Sequence, residues 1–118
     1  MTADHPIRIA PNPRRVRVRF GDQTVAETGR AVTLFEASYP GVHYVPREDT
    51  NMSLLTRTAH KSHCPYKGDA AYYSVTANGR TAENAVWTYE QPFPDVAEIG
   101  GYLAFYPNKV EILEEPAD

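Results

Sequence analysis

The dipeptide Asn78-Gly79 lies between two runs of strand-forming residues. A two-residue hairpin turn of type I′ needs positive φ at both central positions, which Asn and Gly adopt readily. The pair therefore predicts a hairpin with Ala77 opposite Arg80, Val75 opposite Ala82 and Tyr73 opposite Asn84. Side chains alternate across a strand, so Ala71, Tyr73, Val75, Ala77 and Val86 share a small, apolar face. The other face carries Tyr72, Ser74 and Thr76 across from Ala85, Glu83 and Thr81, with Trp87 and Tyr89 further along. A carboxylate among large aromatics is costly to bury without a partner. Either Glu83 sits at a wet edge, with the aromatics roofing a core, or this face is open to a ligand.

The rest of the chain is punctuated in the same way. Ten prolines and seven glycines divide it into short runs, as in a β-rich domain of short strands. Residues 14–20 alternate between Arg15, Arg17, Arg19 and Val16, Val18, Phe20, the pattern of a half-exposed strand. Gly21-Asp22 reads as a turn and Thr24 to Glu27 as the returning strand. Further strands are expected at Val32 to Phe35, His43 to Val45, Tyr102 to Tyr106 and Val110 to Leu113, with residues 60–66 extended. Met52 to Leu55 suits one helical turn. Asp95 and Glu98 resemble a capping box for a short helix that the Gly100-Gly101 pair ends. These signals predict a mainly β, single compact domain of seven or eight short antiparallel strands with one or two short helical turns. The expected layout is an N-terminal arm over 1–13, the domain over 14–113 and an acidic tail over 114–118.

Composition narrows the function classes. A length of 118 residues suits one domain with a real core. The formal net charge of −3 is too mild to signal a nucleic-acid or membrane partner. The arginines of the first strand read as a solvated face before a phosphate-binding arm, so nucleic acid is disfavoured. No apolar run reaches transmembrane length and the start of the chain lacks a signal-peptide core. The single cysteine excludes an intrachain disulfide and fits a reducing, cytoplasmic setting.

The segment His63-Cys64-Pro65-Tyr66-Lys67-Gly68-Asp69 crowds reactive groups together. Cys64 is a candidate nucleophile, but in an extended strand His63 points to the opposite face, and His60 lies two strand steps away. Zinc needs a second pair of ligands that the chain lacks, so no metal and no cofactor are expected. Tyr44-Val45-Pro46-Arg47-Glu48-Asp49 is a second polar cluster. There Arg47 offers a fork for a carboxylate or phosphate, and Glu48 is a candidate general base. Lys67-Gly68 lacks the upstream glycines of a phosphate loop. No paired acidic metal motif is visible.

The runs Y-V-P-R-E-D at 44–49, H-C-P-Y-K-G-D at 63–69, A-V-W-T-Y at 85–89 and G-Y-L-A-F-Y at 101–106 resemble the bacterial family catalogued as domain of unknown function 427. The resemblance spans roughly residues 14–113. It implies a compact domain similar to the β-tent folds, many of which carry zinc knuckles and some of which bind small ligands in an aromatic cage. This chain lacks the zinc-binding cysteines. A nucleotidyltransferase label is sometimes attached to the family, and nothing in these residues supports that chemistry. The leading expectation is a small-molecule-binding β domain. Arg47, Lys67, Tyr66, Tyr72, Trp87 and Tyr89 would contact the ligand, and Glu48 or Glu83 would anchor it. Two alternatives stand beside it: an enzyme using Cys64 or a glutamate base, and a structural module forming a homodimer.

Overall fold

Asn78 and Gly79 have φ of 52° and 74°, the left-handed pair that a type I′ turn demands. They join β7 (Gly68–Ala77) to β8 (Arg80–Thr88) in the computed structural model, which describes residues 6–116. Ala77 pairs with Arg80 and Val75 with Ala82, as predicted. Beyond that point the register departs from expectation, because Tyr73 meets Val86 instead of Asn84. Three residues of β8 oppose Ser74 alone, a bulge with Asn84 at φ 51°. The bulge is held in place by two hydrogen bonds. The Asn84 amide donates to Ser74 Oγ at 3.0 Å, and Thr58 Oγ1 donates to Asn84 Oδ1 at 2.7 Å. Two extra residues preserve the facing of Val86. They also bring Trp87, not Ala85, opposite Tyr72, while Ala85 turns into the core on the Tyr73 side.

Ten strands form three antiparallel sheets among the described residues. The first contains β1 (Ile7–Asn12), β4 (Ala31–Glu36) and β5 (Val42–Tyr44), in that order. The second contains β10 (Glu111–Glu115), β2 (Arg15–Phe20) and β3 (Gln23–Thr28). The third runs β6 (Leu55–Cys64), β7, β8 and β9 (Leu103–Phe105). Val45 and Leu103 exchange two backbone hydrogen bonds of 2.8 Å and stitch the first sheet to the third. The second sheet is tied on through the Asn51 amide, which donates to the Val25 carbonyl at 2.7 Å.

Alternation then sorts the core into two clusters. Tyr73, Val75, Val86, Leu103 and Phe105 pack with Val16, Val18 and Val25 of the second sheet. Ala70, Tyr72 and Ala104, from the other face, pack with Leu34 and Tyr44 of the first sheet and with Val96 and Ile99. The last two belong to the 3₁₀ segment Pro94–Ile99. Adjacent Tyr44 and Val45 are both buried and enter opposite clusters. The hairpin turns also meet. Gly21 (φ 57°) lies so close to Ala77 that a Cβ would stand 2.8 Å from its carbonyl oxygen, and Asn78 Nδ2 donates to the Gly21 carbonyl.

Several expectations are corrected. The expected arm carries β1 from Ile7 onward, and Glu114 and Glu115 of the expected tail complete β10. Residues 1–5 and 117–118 of those segments lie outside the described residues. Among the described residues three 3₁₀ segments occur, at Arg47–Asp49, Met52–Leu54 and Pro94–Ile99. The capping position of the last is Phe93, so Asp95 falls inside the first turn and caps nothing. The arginine face of β2 is neutralised within its own sheet: Arg15 and Arg17 both reach Glu27, at 3.2 and 3.3 Å, and Arg17 also reaches Glu115. Among the described residues no helix is long and apolar enough to cross a membrane.

Candidate functional site

The strand predicted through residue 66 stops at Cys64, and the chain turns over Pro65, Tyr66 and Lys67. Gly68 makes the turn possible. Its φ of 117° is a conformation that side-chain-bearing residues rarely adopt, and the backbone of Gln91–Phe93 packs against it. The Phe93 amide donates to the Lys67 carbonyl at 2.9 Å and fixes the strap over the turn. Lys67 is thereby driven inward to 8% exposure. Its ammonium donates to Glu36 Oε1, at the end of β4, at 2.6 Å.

The pair lines a chamber of about 220 Å³ whose aromatic walls are Tyr44, Tyr72, Trp87, Tyr89 and Tyr106. Trp87 stacks at a tilt on Tyr106, with centroids 4.5 Å apart, and meets the edge of Tyr44 at 6.3 Å. The Trp87 indole N–H donates to the Tyr44 hydroxyl at 3.3 Å. The Tyr72 hydroxyl lies 2.8 Å from Ser62 Oγ, and the His60 ring sits 4.4 Å from the Tyr72 ring. Burial raises the Tyr44 and Tyr89 phenols well above their ordinary range. Burial, with a hydrogen bond to Tyr72, pushes Tyr106 up to about 12. These phenols remain protonated at neutral pH, so none serves as a phenolate base.

Of the sequence-predicted site residues, the structure brings together Lys67, Tyr72, Trp87 and Tyr89. Arg47 is elsewhere. Its guanidinium lies 5.7 Å from the Tyr73 ring and donates to the Tyr73 hydroxyl at 3.1 Å, and Tyr73 belongs to the opposite face from Tyr72. Tyr66 is exposed on the outside of the turn. Glu48 is exposed near Arg30. Glu83 points outward from the β8 bulge, and its carbonyl accepts from Lys109 Nζ at 2.8 Å. Cys64 is half-buried against the chamber cluster. The His63 ring is engaged through Nδ1 by Asp69 at 2.6 Å, and the His60 ring packs on Tyr72 at 4.4 Å. Among the described residues no group of three or more His, Cys, Asp and Glu side chains is placed to hold a metal ion.

Five chamber residues were not predicted: the aliphatic Leu34 and Val42, and the polar or aromatic Glu36, Tyr44 and Tyr106. Alternation puts Val32, Leu34 and Glu36 on one face of β4, so a charge at the end of an apolar stripe was the available signal. Its partner lies 31 residues away, beyond any local pattern.

The fold is a small antiparallel β domain, with a concavity lined by five aromatic rings beside the largely buried Lys67–Glu36 pair. The chain belongs to the family described as Domain of unknown function (DUF427), whose model matches residues 8–116. No curated protein sequence matches it.

Proposed function

We propose that the chamber binds a small, planar, polar molecule. The observation that carries this reading is the Lys67–Glu36 pair, set at 2.6 Å among five aromatic rings. Flat aromatic walls favour a flat ligand. The ammonium donates and the carboxylate accepts, side by side, so together they complement the edge of an amide or heterocycle that carries a carbonyl next to an N–H. The volume of about 220 Å³ suits a ligand of roughly ten heavy atoms, below the drug-sized range.

Thermal-shift screening with a panel of small lactams, imides and nucleobases tests it. A ligand present at ten times its Kd stabilises the folded state by about 1.4 kcal/mol, or about 5 °C for a domain of this size. The same ligand should change Trp87 fluorescence and fail to stabilise Trp87→Leu. A panel that leaves the melting temperature unmoved at millimolar concentration refutes the proposal.

A further inference from the structure

Val42 and Trp87 also line a second concavity, of about 410 Å³. It opens at the seam where the first two sheets meet β9. Val16 and Val18 of β2, Val45 and Phe105 supply its buried wall, and Ile112 of β10 its outer one. The size falls within the range of sites that accept small molecules. The chemistry differs sharply from that of the chamber, because no lysine, arginine, aspartate or glutamate lines it. Beside the Tyr39 phenol at its mouth, its one titratable group is His43, and both ring nitrogens are engaged away from the cleft. Nδ1 lies 2.8 Å from Thr33 Oγ1, and Nε2 lies 3.5 Å from Glu114 Oε1. Asn12 Nδ2 donates to the same Glu114 carboxylate at 2.9 Å. A charged group in the cleft would lose its hydration with nothing to replace it. An apolar body would instead remove buried valine and phenylalanine surface from water. Tyr39, 67% exposed, forms part of the mouth. It is the most exposed of the large apolar side chains among the described residues.

We infer that this cleft is a second binding site, selective for an uncharged, largely apolar molecule of roughly fifteen heavy atoms, with Tyr39 closing over it. The site differs from the chamber in its polar groups. It uses neither Lys67 nor Glu36, and Val42 and Trp87 are walls common to both.

The test pairs two probes that differ by one sulfonate. N-phenyl-1-naphthylamine is neutral, and 1-anilinonaphthalene-8-sulfonate is its anionic counterpart. Titrated into the folded protein, the neutral probe should give saturable, one-to-one emission with energy transfer from Trp87, the chain's single tryptophan. The anionic probe should bind at least tenfold more weakly. Ile112→Phe, which fills the outer wall, should weaken the neutral probe at least tenfold. Tyr39→Ala, on an exposed side chain that folding does not need, should weaken it severalfold. Equal affinity for both probes, no saturable signal, or Tyr39→Ala and a folded Ile112→Phe that both bind like the parent would overturn the inference. Lys67→Met separates the two sites. Probe binding that falls with Lys67→Met but not with Ile112→Phe places the probe in the chamber and refutes the cleft. A chamber panel without hits leaves the probe result standing on its own.

Discussion

Replacing Lys67 with methionine isolates the ion pair, because methionine keeps most of the apolar stem and removes only the charge. The Lys67 side chain retains 11% exposure and that of Glu36 21%, so each charge has lost most of its water. Removing one partner of a fully buried pair costs about 3–5 kcal/mol, chiefly from the charge left behind. Glu36 keeps about a fifth of its exposure, and the water that reaches it lowers the expected cost to about 2–3 kcal/mol. With a urea m-value of about 1.5 kcal/mol/M, the unfolding midpoint, read from Trp87 fluorescence, should fall by about 1.3–2 M. Adding Glu36→Leu removes the stranded charge, and the midpoint should return to within about 0.5 M of the parent. A midpoint drop below about 0.3 M in the single variant, or a double variant no more stable than the single, would refute the reasoning.

Two further outcomes follow from geometry already described. Gly21→Ala should cost about 2–3 kcal/mol, since it adds both a strained φ and a backbone clash with Ala77. Gly79→Ala, with positive φ but nothing within 4 Å of the new Cβ, should cost only about 1 kcal/mol; equal losses in urea melts would show that the two turns do not dock. In acid, Asp49 is held below its ordinary range by hydrogen bonds from Arg30 and Thr28, and Glu90 by hydrogen bonds from Arg57. A carboxylate lowered in the folded state stabilises it fully above the unfolded value, and that contribution is lost as pH falls through the folded one. Stability should therefore be flat from pH 8 to 5 and fall below about pH 4. Asp49→Asn should make that fall shallower, and an unchanged acid slope in calorimetry would contradict the assignment.

Much of the fold was legible because it rests on period-two alternation and on turn residues with positive φ. Asn78-Gly79, the Val16-Val18 stripe and the strand through Val32 to Phe35 are all local signals. The bulge at Asn84 was not, because a β8 residue in left-handed conformation depends on Ser74 and Thr58 to hold it. β1 was obscured by Pro11 and Pro13, which a strand at the edge of a sheet tolerates. Among the site residues, Tyr72 and Trp87 followed from alternation, and Lys67 was found through the crowding around Gly68. Arg47 misled because nearness in sequence to Tyr44 does not survive one strand step. Tyr44 and Val45 face opposite cores, and Arg47 follows onto the Tyr73 side. Glu36 stayed hidden because its meaning depends on a residue of another sheet.

The pairing of β10 with β2 places Glu115 beside Arg15. A synthesising ribosome releases the β2 partner about a hundred residues after β2 itself. Until then Val18 and its neighbours have no strand on that side, and closing so long a loop precedes any gain from the contact. The domain should complete its fold only after β10 has emerged, in a late and cooperative step. A stop codon before Glu111 would leave a nascent chain with an open sheet edge, the kind of surface that chaperones hold and proteases remove.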